Sequence, residues 1–287
     1  MKEFAVALEG VRLFVREWGD ARDPAVLYWD GLGGCGLHAN EVAPILTQEY
    51  GLRVIAPDAP GHGRSPALPL EAYRPSALSA LAAELLTALG LSHAAFVGFS
   101  WGAEIGCAFA ARFPERTVRL VLIDEGYVDL CDLPDFDPSA DLAAHVAAAR
   151  EKAQEDSFAT WDAYFAAESA ALRRWTPALA EAHRATMRER DGRIVPILDA
   201  DVIGAINYAN CVEPTASTYS DLRAAGVAIL LLTPEQPRFG AIGRAGIARF
   251  RAEVPQLRLE QLPGDVHDLV SHAPAEVAAL VGNWLCN

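Results

Sequence analysis

Short apolar segments recur along the chain, and most are rich in the β-branched and aromatic residues that favour strands. Eight segments have this character: FAVAL, VRLFVREW, AVLYW, RVIAP, AAFVGF, VRLVLI, VAILLL and LRLEQL. Only Glu9 and Gly10 separate the first two, which predicts a β-hairpin. Helical patterns separate most later segments and predict parallel pairing through crossover helices. We therefore expect an α/β fold with a mainly parallel eight-stranded sheet, flanked by helices and antiparallel at its start.

The segment SALSALAAELLTALG shows the helical pattern clearly. Its leucines at 78, 81, 85 and 89 recur every three or four residues, which places them on one face of a helix. Gly90 follows the last of them and can adopt the left-handed conformation that ends a helix. This segment is expected to cover one face of the sheet.

The succession of predicted strands is interrupted between residues 125 and 212, where Ala-rich helical patterns occur without a convincing buried strand. We predict a helical cap over 125–212, inserted into a core domain formed by 1–124 and 213–287. Four aromatic residues lie in this segment, namely Trp161, Tyr164, Phe165 and Trp175. They either pack the cap onto the core domain, the interpretation that we favour, or line a ligand pocket.

Composition and charge restrict the classes of partner. The chain has 287 residues, of which 52% are hydrophobic and 22% charged, as in soluble globular proteins. A net charge of -14 repels phosphate groups, so nucleic acid and anionic membranes are not expected partners. No apolar run approaches the 18 or so residues of a membrane span. We expect a small-molecule ligand.

The cysteines and the N-terminus indicate the compartment. Five cysteines are scattered without a C-x-x-C pair, at positions 35, 107, 131, 211 and 286. This pattern predicts neither a disulfide framework nor a metal site, and it favours a reducing cytoplasm. The N-terminal segment MKEFAVALEG lacks the features of a secretory signal.

A G-x-S-x-G motif spans Gly98 to Gly102, between a predicted strand and a helix-compatible segment. A serine on such a sharp turn has a strained backbone and an exposed hydroxyl, and the flanking glycines remove side chains that would collide. The N-terminus of the following helix points its N–H groups toward the reacting centre. Ser100 is therefore a candidate nucleophile.

A nucleophilic serine needs a base, and the chain has seven histidines. If the catalytic order is Ser, acid, His, only His267 and His272 follow the insertion. His267 lies in the loop LPGDVHDL just after a predicted strand, whereas His272 lies near the start of the last helix. We favour His267.

Two positions compete for the acid that orients this histidine. Asp124 directly follows the buried strand VRLVLI, at the same sheet edge as Ser100, and its carboxylate could hold the histidine tautomer. Glu235 lies among prolines in the loop after VAILLL. We favour Asp124 and keep Glu235 as the alternative acid.

The segment GLGGCG, residues 31–36, has the G-x-G-x-x-G spacing of a dinucleotide site, with Asp58 at a position that could serve the ribose. An oxyanion loop is the competing interpretation. The preceding β-hairpin favours the oxyanion loop, because a dinucleotide site follows the first strand of its sheet.

Four segments together resemble the α/β-hydrolase superfamily: DGLGG, APDAPGHGRSPA, VGFSWGAEIG and LPGDVHDL. The resemblance covers nearly the whole chain and implies a helical cap between the sixth and seventh strands. It also implies an oxyanion hole formed by the backbone N–H groups of Leu32 and Trp101. An acid after the sixth strand is a known variant of this family. Asp30 departs from the pattern, because it replaces the usual histidine; either Asp30 points away into hydrogen bonds, or activity is altered or lost.

The resemblance and the motifs predict a serine hydrolase that cleaves a carboxylic ester or lactone, with Ser100 as nucleophile, His267 as base and Asp124 as orienting acid. This chemistry requires neither cofactor nor metal. Amide or imino-peptide cleavage, C–C bond hydrolysis and acyl transfer remain open, since similar sites perform them. A non-catalytic binding protein on the same fold and a dinucleotide-dependent oxidoreductase are the alternatives from other classes.

Overall fold

A computed structural model describes residues 1–134, 136–153 and 157–287. Its main sheet contains β1 (Lys2–Leu8), β2 (Val11–Trp18), β3 (Ala25–Trp29), β4 (Arg53–Pro57), β5 (Ala94–Phe99), β6 (Thr117–Ile123), β9 (Ile229–Pro234) and β10 (Leu257–Leu262). The spatial order is β1-β2-β4-β3-β5-β6-β9-β10. β2 pairs antiparallel with both β1 and β4, and every other pair is parallel. The predicted mainly parallel sheet with an antiparallel start is confirmed.

Helices cover both faces of this sheet. They are α1 (Val42–Tyr50), α2 (Pro75–Ala88), α3 (Trp101–Arg112), α8 (Tyr219–Ala225), α9 (Gly240–Glu253), the short α10 (Leu269–His272) and α11 (Pro274–Cys286). The faces of the sheet bury separate apolar clusters, one against α1 and α11 and the other against α2, α3 and α8. The predicted leucine face of α2 is buried at Leu78, Leu81 and Leu85. Gly90 adopts a φ of 72° just after α2, as expected for a left-handed helix stop.

Between β6 and β9 the chain forms α4 (Leu142–Ala153), α5 (Trp161–Ala171), α6 (Pro177–Arg184), β7 (Met187–Arg190), β8 (Arg193–Pro196) and α7 (Ala200–Val212). The antiparallel β7–β8 hairpin is an addition to the helical prediction. Three of the four residues of β7 are exposed, and three are charged. The sequence therefore gave no apolar signal for a buried strand there.

Polar contacts hold this segment over the loops at the carboxyl ends of the parallel strands. Arg174 forms a two-pronged ion pair with Glu41, at 2.6 and 2.7 Å, and donates to the backbone carbonyl of Ser271 at 2.6 Å. The amide of Asn40 donates to the carbonyl of Ala178 at 2.8 Å. These contacts hold the part of the segment around Arg174 and Ala178 at the sheet edge where Ser100 lies. In the described ranges, no helix combines the length and apolar character needed to cross a membrane.

Candidate active site

Ser100 occupies the tight turn between β5 and α3. Its φ of 51° and ψ of -124° lie in a region that residues with side chains rarely adopt, at a cost on the order of 1–3 kcal/mol. A Cβ atom on Gly98 would collide with the backbone of Gly102, and one on Gly102 would collide with the carbonyl group of Trp29. The two glycines of the motif are therefore needed because the chain passes close to itself on both sides of the serine.

His267 lies in the loop between β10 and α10, beside Ser100. Its Nε2 atom is 2.9 Å from the Oγ atom of Ser100, and its side chain is 28% exposed. The ring of Phe99 packs against the imidazole with 5.4 Å between centroids. His272, the other candidate base, ends α10, so the structure brings His267 and not His272 to the serine hydroxyl.

Asp124 follows β6 directly and is fully buried. Its Oδ2 atom is 2.8 Å from Nδ1 of His267, and its backbone N–H donates to the carbonyl of Leu232 on β9 at 2.8 Å. Glu235, the alternative acid, is exposed, and its backbone N–H donates to Leu262 on β10. The structure thus places Asp124, rather than Glu235, on the far side of the imidazole.

Tyr127 is a site residue that the sequence analysis did not identify. Its hydroxyl donates to Oδ1 of Asp124 at 2.6 Å, and its ring is fully buried. Burial and the neighbouring carboxylate of Asp124 raise the pKa of Tyr127, so the phenol stays protonated and donates. Gly126, with a φ of 90°, turns the chain so that Tyr127 returns toward Asp124. A glycine and a tyrosine soon after a strand-end acid were the only signal available.

The glycine-rich loop after β3 passes directly against Ser100. A Cβ atom on Gly31 would lie 3.0 Å from Cβ of Ser100, which explains the glycine at this position. The next residue, Leu32, is 39% exposed and borders the space on both sides of the serine. Trp101 is the first residue of α3, so its N–H group has no acceptor within the helix.

Asp30 is buried and held by two hydrogen-bonding groups. Its Oδ2 atom lies 2.6 Å from Nδ1 of His38, and Tyr28 donates its hydroxyl to Oδ1 at 3.3 Å. Burial alone would favour neutral His38, but the carboxylate of Asp30 outweighs this effect and raises the pKa of the imidazole. Of the two alternatives for Asp30, the structure shows the one in which the carboxylate is engaged in hydrogen bonds.

Asp58, which a dinucleotide site would need free, is fully buried and occupied within the protein. Arg16 lies 2.5 Å from its Oδ1 atom, and the backbone N–H groups of Gly36 and Arg64 donate to the carboxylate at 2.9 and 2.8 Å. The glycine-rich loop continues into a short 3-10 helix, Gly36–Asn40, rather than directly into an α-helix. These contacts give Asp58 the role of joining β2 to two loops.

Two cavities of about 360 Å³ each meet at Ser100. The first cavity is also lined by His267. Its other carboxyl and imidazole side chains are those of Asp30, His38, Glu168, His183 and Asp268. In this lining Nδ1 of His183 lies 3.1 Å from Glu168. The second cavity lies on the side of Trp101 and carries Glu104, Glu125, Lys152 and Arg238 beside apolar side chains.

The four aromatic residues predicted to pack or to line a pocket divide between these roles. Phe165 contacts Trp161 and Trp175, with ring centroids 5.8 and 6.2 Å apart. Tyr164 is buried and lines the first cavity together with Ser100. In the part of the chain that the structure describes, the other three border neither cavity, so packing is their main role.

Two of the curated proteins that match part of the sequence indicate the range of chemistry among its relatives. It is 37% identical over 106 residues to the sn-1-specific diacylglycerol lipase ABHD11 of Mus musculus, covering 37% of this chain and 34% of that protein. It is 30% identical over 121 residues to the 2-hydroxy-6-oxo-6-phenylhexa-2,4-dienoate hydrolase of Burkholderia cepacia, covering 42% of each. The matched region is therefore less than half the length of either relative.

Solved structures match nearly the whole chain. The thioesterase domain from the curacin biosynthetic pathway superposes with a TM-score of 0.78 at 20% identity, over 99% of this chain and 98% of that one. E-2-(acetamidomethylene)succinate hydrolase gives 0.77 at 21% identity, over 100% and 99%. At these identities the likeness concerns the fold. The family model described as the alpha/beta hydrolase fold matches residues 24–187, more than half of the chain. This match, together with the sheet and the turn at Ser100, shows that the chain belongs to the alpha/beta hydrolase family.

Proposed function

We propose that this protein is a serine hydrolase that cleaves a carboxylic ester or a lactone through an acyl-enzyme on Ser100. The observation that carries the proposal is the continuous chain of hydrogen bonds from Ser100 through His267 to Asp124, at 2.9 and 2.8 Å. The family and the relatives support hydrolase activity in general. The mouse relative, named as a diacylglycerol lipase, supports the choice of an ester.

In the proposed mechanism, Nε2 of His267 accepts the proton of Ser100 as Oγ attacks the acyl carbon. Asp124 accepts a hydrogen bond from Nδ1, which keeps Nε2 unprotonated so that it can act as base, and the carboxylate stabilises the imidazolium that forms. His267 then donates the proton to the departing alkoxide. Water attacks the acyl-enzyme with His267 again as base, and the carboxylic acid leaves.

The negative oxygen of the tetrahedral intermediate needs donors on the opposite side of Ser100. We propose the backbone N–H groups of Leu32 and Trp101 for this role, since both residues border the serine. Asp30 is paired with His38 at 2.6 Å, and the raised pKa of His38 favours the imidazolium, which offsets the charge of Asp30. The interpretation in which Asp30 abolishes activity is therefore not adopted.

A labelled fluorophosphonate probe, followed by digestion and mass spectrometry, tests the nucleophile. We expect the label on Ser100, and no label after Ser100→Ala. Ser271→Ala is the matched control, because Ser271 lines the first cavity without contacting His267 in the described contacts. Label at another residue, or Ser100→Ala activity within about tenfold of the parent, would contradict the assignment.

The substrate class is tested by comparing esters and lactones of varied chain length with an oxo-dienoate. Hydrolysis of an oxo-dienoate is the second candidate, favoured by the name of the Burkholderia cepacia relative. We expect the highest kcat/KM for an ester or lactone. Turnover of the oxo-dienoate alone would replace the ester proposal, and failure of the probe to label Ser100 would favour a non-catalytic binding protein.

A further inference from the structure

The second cavity contains charged side chains that the proposed mechanism does not use. One of them, Arg238 in the loop before α9, contacts the proposed base. Its Nη1 atom is 3.4 Å from Nε2 of His267 and 3.5 Å from Oε1 of Glu125. Because Ser100 contacts the same Nε2 atom, the guanidinium lies one side chain away from the nucleophile.

Acidic and basic groups occupy different depths of the second cavity. Glu125 is 6% exposed, whereas the side chain of Arg238 is 47% exposed and Lys152 is also exposed. Burial raises the pKa of Glu125 to about 8, although Arg238 opposes the shift. Burial also raises the pKa of Glu104 well above its usual value. Both shifts favour the neutral form of the carboxyl group, so each acid offsets the charge of the guanidinium less than a solvent-exposed carboxylate would.

The first cavity differs in its charged lining, which contains neither Arg nor Lys among the described residues. Asp30, Glu168 and Asp268 contribute to its lining, and its basic groups are the imidazoles of His38, His183 and His267. Asp30 and Glu168 are paired with imidazoles, so an anionic substituent would meet the carboxylate of Asp268 there and no guanidinium or ammonium group. On the other side of Ser100 it would meet a guanidinium, whose fork of N–H donors matches a carboxylate.

We infer that the second cavity binds the acyl part of a substrate that ends in a carboxylate, and that Arg238 is the residue that selects it. This inference rests on the proposed function and names its substrate class. Leu133, Phe136 and Ile206 give the same cavity an apolar lining against which methylene groups can pack. Since Arg238 and Ser100 both contact His267, only a few carbon atoms separate the carboxylate from the scissile carbonyl. Half-esters of short dicarboxylic acids meet this description.

Three ethyl esters of equal chain length test the inference in a proton-release assay. They are monoethyl glutarate, ethyl pentanoate and the trimethylammonium analogue of the same length. We expect kcat/KM for the glutarate ester to exceed that of the pentanoate by roughly 10- to 100-fold, as for hydrogen bonds between charged groups. Arg238→Gln should lower this ratio about tenfold or more. A ratio is used because Arg238 also contacts His267, and a general loss of activity cancels in it.

Arg244→Gln is the matched control, because it makes the same charge change on the exposed side of α9, outside the cavity. It should leave the ratio unchanged. Equal loss for all three esters in Arg238→Gln would show that Arg238 acts only through His267, and preference for the trimethylammonium ester would show that the buried acids are ionised. Either result overturns the inference.

Binding of glutarate to the Ser100→Ala variant, measured by calorimetry, separates this inference from the proposed function. We expect glutarate to bind to the Ser100→Ala variant. Adding Arg238→Gln to that variant should weaken glutarate binding at least tenfold. If glutarate binding depends on Arg238 but the parent protein hydrolyses no ester, the proposed serine hydrolase function is contradicted and the inference about Arg238 is not. If the parent protein hydrolyses esters but glutarate binding does not depend on Arg238, the inference about Arg238 is contradicted and the proposed function is not.

Discussion

Replacing Asp124 by Asn tests the proposed role of the acid while keeping its size. In the parent protein Oδ1 accepts from Tyr127 and Oδ2 accepts from Nδ1 of His267. An amide has one oxygen only. If that oxygen stays on the Tyr127 hydroxyl, the amide NH₂ group faces Nδ1, which must then be the unprotonated nitrogen. Nε2 of His267 would carry the proton and could not accept another from Ser100.

We expect Asp124→Asn to lower kcat by roughly 10³- to 10⁴-fold, as wrong-tautomer variants of such triads do. This loss corresponds to about 4–5.5 kcal/mol of transition-state stabilisation. The opposite amide orientation would restore the tautomer, but it would turn NH₂ toward Tyr127 and leave its buried hydroxyl without an acceptor, at about 1–3 kcal/mol. Removing that hydroxyl should therefore help the Asn variant recover the correct tautomer.

The assay is kcat on the best ester for Asp124→Asn, Tyr127→Phe and the double variant, with thermal melts to exclude unfolding. We expect Tyr127→Phe to reduce kcat in the parent and to raise it in the Asn background. Glu235→Gln is the control at the alternative acid and should cost little. The reasoning is refuted if Asp124→Asn keeps most activity while Glu235→Gln does not, and the tautomer argument is refuted if Tyr127→Phe lowers kcat equally in both backgrounds.

Two further predictions concern packing and charge around the cavities. Trp161→Ala or Trp175→Ala should lower the free energy of unfolding by roughly 2 kcal/mol, which is less than the loss at fully buried aromatic sites. Selectivity among ester chain lengths should not change. A changed selectivity would assign these rings to the substrate pocket. The ion pair between Asp30 and His38 raises the pKa of His38 and stabilises the folded protein. This stabilisation is fully present below the usual histidine pKa of about 6.5 and is lost as pH rises through the raised pKa. Asp30→Asn should remove it. The Tm deficit should thus be larger at about pH 5.5 than at about pH 8.5, and an equal deficit at both would contradict the ion-pair explanation.

Local sequence patterns predicted the strands of the main sheet. The eight apolar segments coincide with the eight strands of the main sheet, because alternation and β-branched content act within a few residues. The hairpin β7–β8 was missed for the same reason, since its largely charged, exposed first strand gives no apolar signal.

The sequence by itself identified Ser100 and its turn, because strand, glycines and helix are adjacent in the chain and the steric demand for glycine is local. It also reduced the base and the acid to two candidates each. It favoured Asp124 but kept Glu235 as the alternative, since both follow parallel strands that end at the same edge of the sheet.

Only the tertiary structure decided which side chains meet. Asp124 and His267 are 143 positions apart, and their 2.8 Å contact depends on the register of β6, β9 and β10. The partners of Asp30 and Asp124, and the position of Arg238 beside His267, also depend on loops whose paths local sequence does not specify. Periodicity reports how each segment packs on its neighbours, whereas the charge balance of a cavity arises from residues brought together from distant segments, which is why the structure was needed to assign it.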